Sequence, residues 1–509
     1  MKNSQLLLDF RIILTAIASV IAGNAFSTHT QLLHLTNSPK EKNAQADLNT
    51  PIPVTIKKDE NGWQFYRNGK PYYVKGAGGT VRMDLAVEVG ANSVRTWGIE
   101  NAKEILDEAH SRGLTVMLGM WLQHERHGFD YSNKTKVQKQ FEHFKRIIDE
   151  FKNHPALLLW GIGNEVDLFY KNTRVWDAIQ DIAKYAHQVD PNHPTSTVTA
   201  GLDSLEVALI LEKAPDIDVY CVNTYGDIDN VPSNIRKFGW NGPYMITEWG
   251  PNGHWESPNT QWKAAIEQSS GEKARIYSWR YQKFIQANQG DCVGSYVFLW
   301  GQKQEYTETW YGLFSKEGKQ TESIDALNVA WASAPAKSST PHIETVLIEF
   351  KPSDENIVLT PGSKHNASVK SYLLTPNEAF QLFSSRSESS NFPKQITVPS
   401  TLLTDKNIPK KVKYHWKCLL ESTDKKAGGD VENEAAEVPV SIKNGRSNHI
   451  SFKAPSKPGA YRLFVTMEFE NKVAYANFPF QVTESDKASQ KSAVRMKKFT
   501  MESFNSNTK

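Results

Sequence analysis

Between Tyr72 and Trp300 short apolar runs alternate with amphipathic stretches. The runs are Tyr72–Gly78, Ser93–Gly98, Leu114–Leu122, Ala156–Asn164, Thr195–Ala200, Val219–Tyr225, Tyr244–Trp249 and Val293–Trp300. Each is short, which suits buried strands. Between them, residues 101–113 place Ala102, Ile105, Leu106 and Ala109 on one helical face and stop at Gly113. Residues 136–155 do the same with Phe141, Phe144, Ile147, Ile148 and Phe151 and end before Pro155, and residues 175–191 supply a third such stretch. Eight strands alternating with helices predict an α/β fold, a (β/α)8 barrel. A doubly wound open sheet is the alternative, but it carries a glycine-rich phosphate turn. Gly76-Ala77-Gly78-Gly79 has neither phosphate-loop spacing and reads as a tight turn.

Upstream, residues 54–76 alternate and turn at Asn61-Gly62 and Asn68-Gly69, a strong hairpin signal. Downstream, the Ala/Pro/Ser stretch at 333–341 marks a domain edge. Short alternating segments follow: "HIETVLIEF", "VKYHWKCLLES", "VPVSIK", "HISFKAP", "AYRLFVTMEF" and "VAYANFPFQV". They predict an all-β, immunoglobulin-like sandwich. With no convincing aromatic strip, this sandwich is expected to brace the barrel rather than bind a ligand of its own. Residues 422–436, with Gly428-Gly429 among many charges, read as a mobile loop. The expected organisation is a signal peptide at 1–25, a linker at 26–50, the barrel with its hairpin at 51–335, the sandwich at 340–485 and a basic, disordered tail at 486–509.

Composition adds little until the aromatics are counted. The 509 residues are 39% apolar and 23% charged, and a net charge of +3 gives nucleic-acid binding no support. The 14 Trp, 18 Tyr and 23 Phe fit either a large core or a cleft with flat aromatic walls. Lys2 and Arg11, the apolar run Ile12–Gly23 and the small residues of Gly23-Asn24-Ala25 read as an export signal, with an uncleaved anchor as the alternative. A periplasmic, cell-surface or secreted location is expected. Cys221, Cys292 and Cys418 are too few and odd in number for a disulfide framework.

Reactive residues of a barrel belong at the C-terminal ends of its strands. Those ends carry Arg95 and Trp97, then Trp121, His124 and His127, then Asn164 and Glu165, then Asn223 and Tyr225, then Glu248 and Trp249, and finally Trp300. Glu165 and Glu248 thus point into one cup. A buried carboxylate needs a partner, and either glutamate could be a structural ion-pair residue. Two carboxylates beside aromatic faces suit a sugar substrate: one protonates the leaving oxygen while the other attacks or activates water. Like charges raise one carboxyl pKa, which suits Glu165 as the acid, while Glu248 near Arg95 stays anionic. Arg95 could equally be a core ion-pair residue. Trp97, Trp121, Trp249 and Trp255 fit core or sugar platform. Asp167 reads as a helix-start residue. His124, Glu125 and His127 lack a third metal ligand in suitable spacing, so neither metal nor cofactor is expected, and His124 is a candidate substrate hydrogen-bonding group.

"WGIGNE" (160–165) and "ITEWG" (246–250) resemble the acid/base and nucleophile motifs of clan A glycoside hydrolases, which are retaining (β/α)8 enzymes. "FYRNGKPYYVKGAGG" (65–79) resembles the start of the barrel in family 2, and the likeness runs over about residues 60–330, including "YGLFSKEGK" (311–319). The resemblance implies Glu165 as general acid/base and Glu248 as nucleophile. It implies that Asn164 binds the sugar 2-hydroxyl, Tyr225 and Arg95 support Glu248, and Trp300 forms the apolar floor. Family 2 places a jelly roll and a sandwich before its barrel. A barrel followed by one immunoglobulin-like domain is more similar to glycoside hydrolase family 158, which implies an endo-acting β-1,3-glucanase. The alternatives are a glycosidase acting on mannan, galactan or a β-glucoside, a β-glucan transglycosylase, and a non-catalytic glycan-binding protein. The expected partner is a β-linked polysaccharide or oligosaccharide, with no nucleic acid and no stable protein partner.

Overall fold

The computed structural model describes residues 48–385, 409 and 411–484. The expected export signal, most of the linker and the basic tail lie outside the described residues. The predicted hairpin forms strands β1 (Val54–Asp59), β2 (Gly62–Arg67) and β3 (Lys70–Tyr72). Gly62 makes its turn at φ 103°, where a β-carbon would fall 2.2 Å from the Gly290 carbonyl oxygen.

The barrel strands are β4 (Val74–Gly78), β5 (Ser93–Arg95), β6 (Thr115–Met120), β7 (Leu157–Asn164), β8 (Thr195–Ala200), β9 (Val219–Asn223), β10 (Tyr244–Trp249) and β11 (Cys292–Val297). They pair in parallel in this order and close from β11 back to β4. The (β/α)8 expectation is therefore borne out. Helices Ala102–Ser111, Lys134–Phe151 and Arg174–Val189 occupy the predicted amphipathic stretches. Below the mouth the barrel is solid. Val54 and Phe65 of the hairpin pack with Met117, Leu158, Met245 and Tyr296 from the strands, so the hairpin belongs to the core that fills the barrel. The open face is at the C-terminal ends.

The C-terminal region is a two-sheet sandwich. One sheet orders β13 (Thr340–Ile348), β15 (Lys364–Leu374), β18 (His449–Lys453) and β17 (Ile442–Lys443). The other orders β12 (Gln320–Thr321), β20 (Lys472–Val482), β19 (Gly459–Phe469) and β16 (Lys413–Leu420), with β14 (Val358–Leu359) beside β20. Ile343, Val369, Phe452, Leu463 and Phe478 fill the space between them. β15 is absent from the predicted segments. Its inward positions include the small or polar Ala367 and Ser371 beside Val369, so no apolar alternation betrays it. The helix Pro376–Ser384 was also unforeseen, although its capping box, Thr375 with Glu378, is legible as T-x-x-E.

Sandwich and barrel are joined by buried charge. Lys472 on β20 lies 2.8 Å from Asp325, and Asn477 on the same strand donates to Glu267, which also pairs with Lys273 at 2.6 Å. Arg462 on β19 pairs with Glu421 at 2.8 Å and donates to the Ala265 carbonyl at 2.9 Å.

Candidate active site

β7 ends in a constrained turn. All residues from Leu157 to Asn164 are buried, and the chain then passes through Gly163 at φ 78° and Glu165 at φ 49°. A glutamate in the left-handed region is strained by about 1–3 kcal/mol. The Glu165 N–H donates to the Val198 carbonyl at 2.9 Å, and the Asp167 carboxylate accepts the Ala200 N–H at 3.0 Å, so both tie the turn to β8. Asp167 is thus a loop brace rather than a helix-start residue.

Glu248, on β10, is buried and held by donors on both oxygens. Oε1 accepts from Arg95 Nη1 at 3.1 Å and Trp97 Nε1 at 2.7 Å, and Oε2 accepts from the Tyr225 hydroxyl at 3.0 Å. Arg95 also donates to the Thr247 carbonyl and, through Nη2, to Asn164 Oδ1, each at 2.6 Å. Arg95 is fully buried and outside the cleft lining. It positions Glu248 and Asn164 instead of meeting substrate.

Asn223 links the two carboxylates. Its Nδ2 donates to Glu165 Oε1 at 2.8 Å and to Asn164 Oδ1 at 3.1 Å, while its Oδ1 accepts from Thr247 at 2.9 Å. Burial and the neighbouring Glu248 together push the Glu165 carboxyl up to about 8, against the opposing Asn223 hydrogen bond. Glu165 is therefore protonated at neutral pH, the state a general acid needs.

The cleft above these residues measures about 960 Å³. Trp97, Trp121, Asn164, Tyr225 and both glutamates line it, as does Trp255, whose ring is exposed at the mouth. Trp121 stacks on His124 with ring centroids 4.7 Å apart. His124 does not reach the cleft. It is buried beneath Trp121, accepts from Arg126 Nε at 3.1 Å, and is held neutral down to about pH 4 by burial and by Arg126 and His127. The proposed substrate contact through His124 is thereby replaced by a supporting role under Trp121.

Two tryptophans depart from expectation. Trp249 is fully buried, stacked on Tyr281 and outside the cleft lining. Successive strand side chains face opposite ways, so Glu248 facing the cup sends Trp249 to the helices. Trp300 is also fully buried, packed on Phe314 and Trp331, with its Nε1 donating to the Val81 carbonyl at 2.7 Å. β11 ends at Val297, earlier than predicted, and Phe298 and Leu299 line the cleft where Trp300 was expected.

Other lining residues were not anticipated. Phe169 presents an exposed ring just after the Glu165 turn, Asp227, Glu256 and the buried Glu305 add three further carboxylates, Glu305 lying 3.0 Å from Lys303, and the sandwich supplies Lys425 and Lys426. Asn223 could have been singled out from "VNTYG". The contribution of the sandwich left no signal, because nothing local shows where a charged loop docks.

Residues 80–317 match the family described as glycosyl hydrolases family 2, TIM barrel domain. This stretch of the chain is similar to the barrel domain of family 2 glycoside hydrolases. The β-glucuronidase of Felis catus is 26% identical over 183 residues, which are 32% of this chain and 26% of that protein. The β-glucuronidase of Paenibacillus borealis is 27% identical over 222 residues, 38% of this chain and 35% of that protein. The chain thus matches about a quarter to a third of the length of these curated relatives. Among solved structures, Bacteroides uniformis β-glucuronidase 2 aligns over 85% of this chain and 48% of that chain at 14% identity, with a TM-score of 0.45.

Proposed function

We propose that the protein is a retaining β-glycosidase working by double displacement, with Glu165 as general acid/base and Glu248 as nucleophile. One observation carries this reading: the three-donor clamp of Arg95, Trp97 and Tyr225 on Glu248, in the same cleft as a protonated Glu165. The clamp aims an anionic carboxylate. Glu165 gives its proton to the leaving oxygen as Glu248 bonds to the anomeric carbon, and then takes a proton from the water that releases the sugar. Asn164, with its Oδ1 filled by Arg95 and Asn223, has its amide NH2 to offer a sugar hydroxyl.

The sugar is a β-glycoside. The family 2 match and the relatives named β-glucuronidase favour a glycosidase on a β-glycoside other than β-1,3-glucan, the alternative reading of the sequence, over an endo-β-1,3-glucanase, and they lend the family 158 likeness no support. A β-glucuronide is the first substrate to try, since the relatives bear that name and Lys425 in the cleft wall offers an ammonium to a uronate carboxylate. The expected export signal makes the site of action periplasmic, cell-surface or extracellular.

The test is turnover of 4-nitrophenyl β-D-glucuronide, glucoside, galactoside and mannoside and of laminarin, with the first product anomer read by proton NMR. Retention is expected, with loss of activity in Glu165→Ala and Glu248→Ala. Inverted product, or no turnover of any substrate, overturns the proposal, and elongated oligosaccharides assign a transglycosylase.

A further inference from the structure

The rim of the barrel mouth is uneven. The loops after β7, β8, β9 and β10 each send several residues to the cleft, whereas those after β4 and β5 contribute Trp97 alone among the described residues. A different domain fills that gap. Lys425, Lys426, Ala427, Gly428 and Gly429, from the sandwich loop between β16 and β17, line the same cleft as Glu165 and Glu248.

The loop is fastened on two sides. On the β6 side, Arg126 donates to Asp430 Oδ2 at 2.8 Å and to the carbonyls of Ala427 and Gly428 at 3.2 and 3.3 Å. His127 Nε2 lies 3.0 Å from the same Asp430 oxygen. On the β11 side, Lys303 donates to the Gly429 carbonyl at 2.6 Å, and the Glu432 carboxylate accepts the Tyr306 N–H at 2.6 Å. Gly428 and Gly429 adopt φ 63° and 72°, and a β-carbon on Gly428 would lie 2.5 Å from Leu168, three residues beyond the acid/base. The two glycines therefore let the loop turn and seat against the barrel rim. Ordering a charged loop has an entropic cost, and these contacts to loops of another domain offset it.

Lys425 Nζ stands 4.3 Å over the Tyr306 ring and 3.0 Å from its hydroxyl, and no ion pair joins it to a carboxylate among the described residues. Its ammonium is left with charge to offer an oxygen of the substrate.

We propose that the sandwich loop at 424–433 is a specificity-determining wall of the active site, closing the barrel mouth from the β6 loop to the β11 loop. A glycan cannot run through the cleft in that direction, and a terminal sugar meets Lys425 there. This inference rests on the glycosidase reading and adds that the sandwich selects substrate as well as bracing the barrel.

Two variants test it. Asp430→Ala releases the loop from Arg126 and His127, and Gly428→Val forces it off Leu168. Thermal melting and near-ultraviolet circular dichroism confirm folding, because neither position lies in the sandwich core. With the 4-nitrophenyl β-glycoside that the wild type turns over best, KM is expected to rise about tenfold, by more than kcat changes. The rate on laminarihexaose relative to the aryl glycoside is expected to rise. Unchanged KM and an unchanged ratio in both folded variants overturn the proposal.

Calorimetric binding of free glucuronic acid and glucose separates the two readings, since it needs no turnover. Weaker binding in Asp430→Ala and Lys425→Ala supports the wall even if the wild type hydrolyses nothing, in which case the hydrolase reading alone fails. Equal binding in all forms, or none in any, overturns the wall.

Discussion

Replacing Glu248 by glutamine tests whether the two carboxylates face each other as double displacement requires. Glu165 is pushed up to about 8 first by burial and then by the Glu248 charge. Glutamine keeps the shape and removes the charge. Two negative charges about 5 Å apart, the spacing of a retaining pair, repel by about 3 kcal/mol at an effective dielectric of about 20. That energy corresponds to about 2 pH units. The Glu165 midpoint in Glu248→Gln is therefore expected to fall by about 2 pH units yet stay above that of an ordinary glutamate, because burial persists. The assay is carbon-13 NMR titration of labelled glutamate carboxyls, with Glu165→Gln to assign the signal. In the active wild type the same group must be protonated to act as the acid, so kcat/KM should hold at neutral pH and decline as pH rises through about 8. A midpoint that moves by less than about half a pH unit refutes the reasoning, since at that coupling the carboxylates are too far apart for a retaining pair.

Tyr225→Phe removes the hydroxyl at 3.0 Å from Glu248 Oε2, and a lost charge-assisted bond of about 1.5–3 kcal/mol predicts a fall in kcat/KM of about tenfold to a hundredfold in aryl-glycoside kinetics. Arg95→Met leaves Glu248 buried without its cation, and urea unfolding should show a loss of about 3–5 kcal/mol together with loss of turnover. Lys472→Met strands Asp325 between barrel and sandwich at a similar cost of about 3–5 kcal/mol, and adding Asp325→Leu should recover part of it in the same assay. His342 is opposed by burial but held charged to about pH 9 by Glu322 and Glu344, at 2.5 and 3.1 Å. Its raised pKa contributes stability below the unfolded value of about 6.5 that is lost as pH rises through about 9, so the melting temperature of the wild type should fall over that window more than that of His342→Gln.

The errors in the sequence reading have a common source. A position at a strand end predicts a side chain facing the cup, but facing depends on register and on where the strand stops. Trp249 follows Glu248 on one strand and so could have been assigned outward from alternation alone. Trp300 could not, because β11 stops at Val297 and the following residues leave the strand pattern. His124 lies in the right loop but under Trp121. Asn223 was visible as a strand-end residue, while its bonds to both Glu165 and Asn164 depend on the closure of the barrel.

By itself the sequence determined the order of the barrel strands, the barrel and the place of the two glutamates at its mouth. Period-two and helical hydrophobic patterns are local, and in a barrel strand order alone brings Glu165 and Glu248 to one face. Only the tertiary structure decided which neighbours share that face. The clamp on Glu248 joins Arg95, Trp97 and Tyr225 from distant segments, and the wall of the cleft comes from residues 425–429 in another domain. Contacts of that kind are fixed by packing and by the pairing of buried charge, which depend on the folded surroundings and leave no period in the chain.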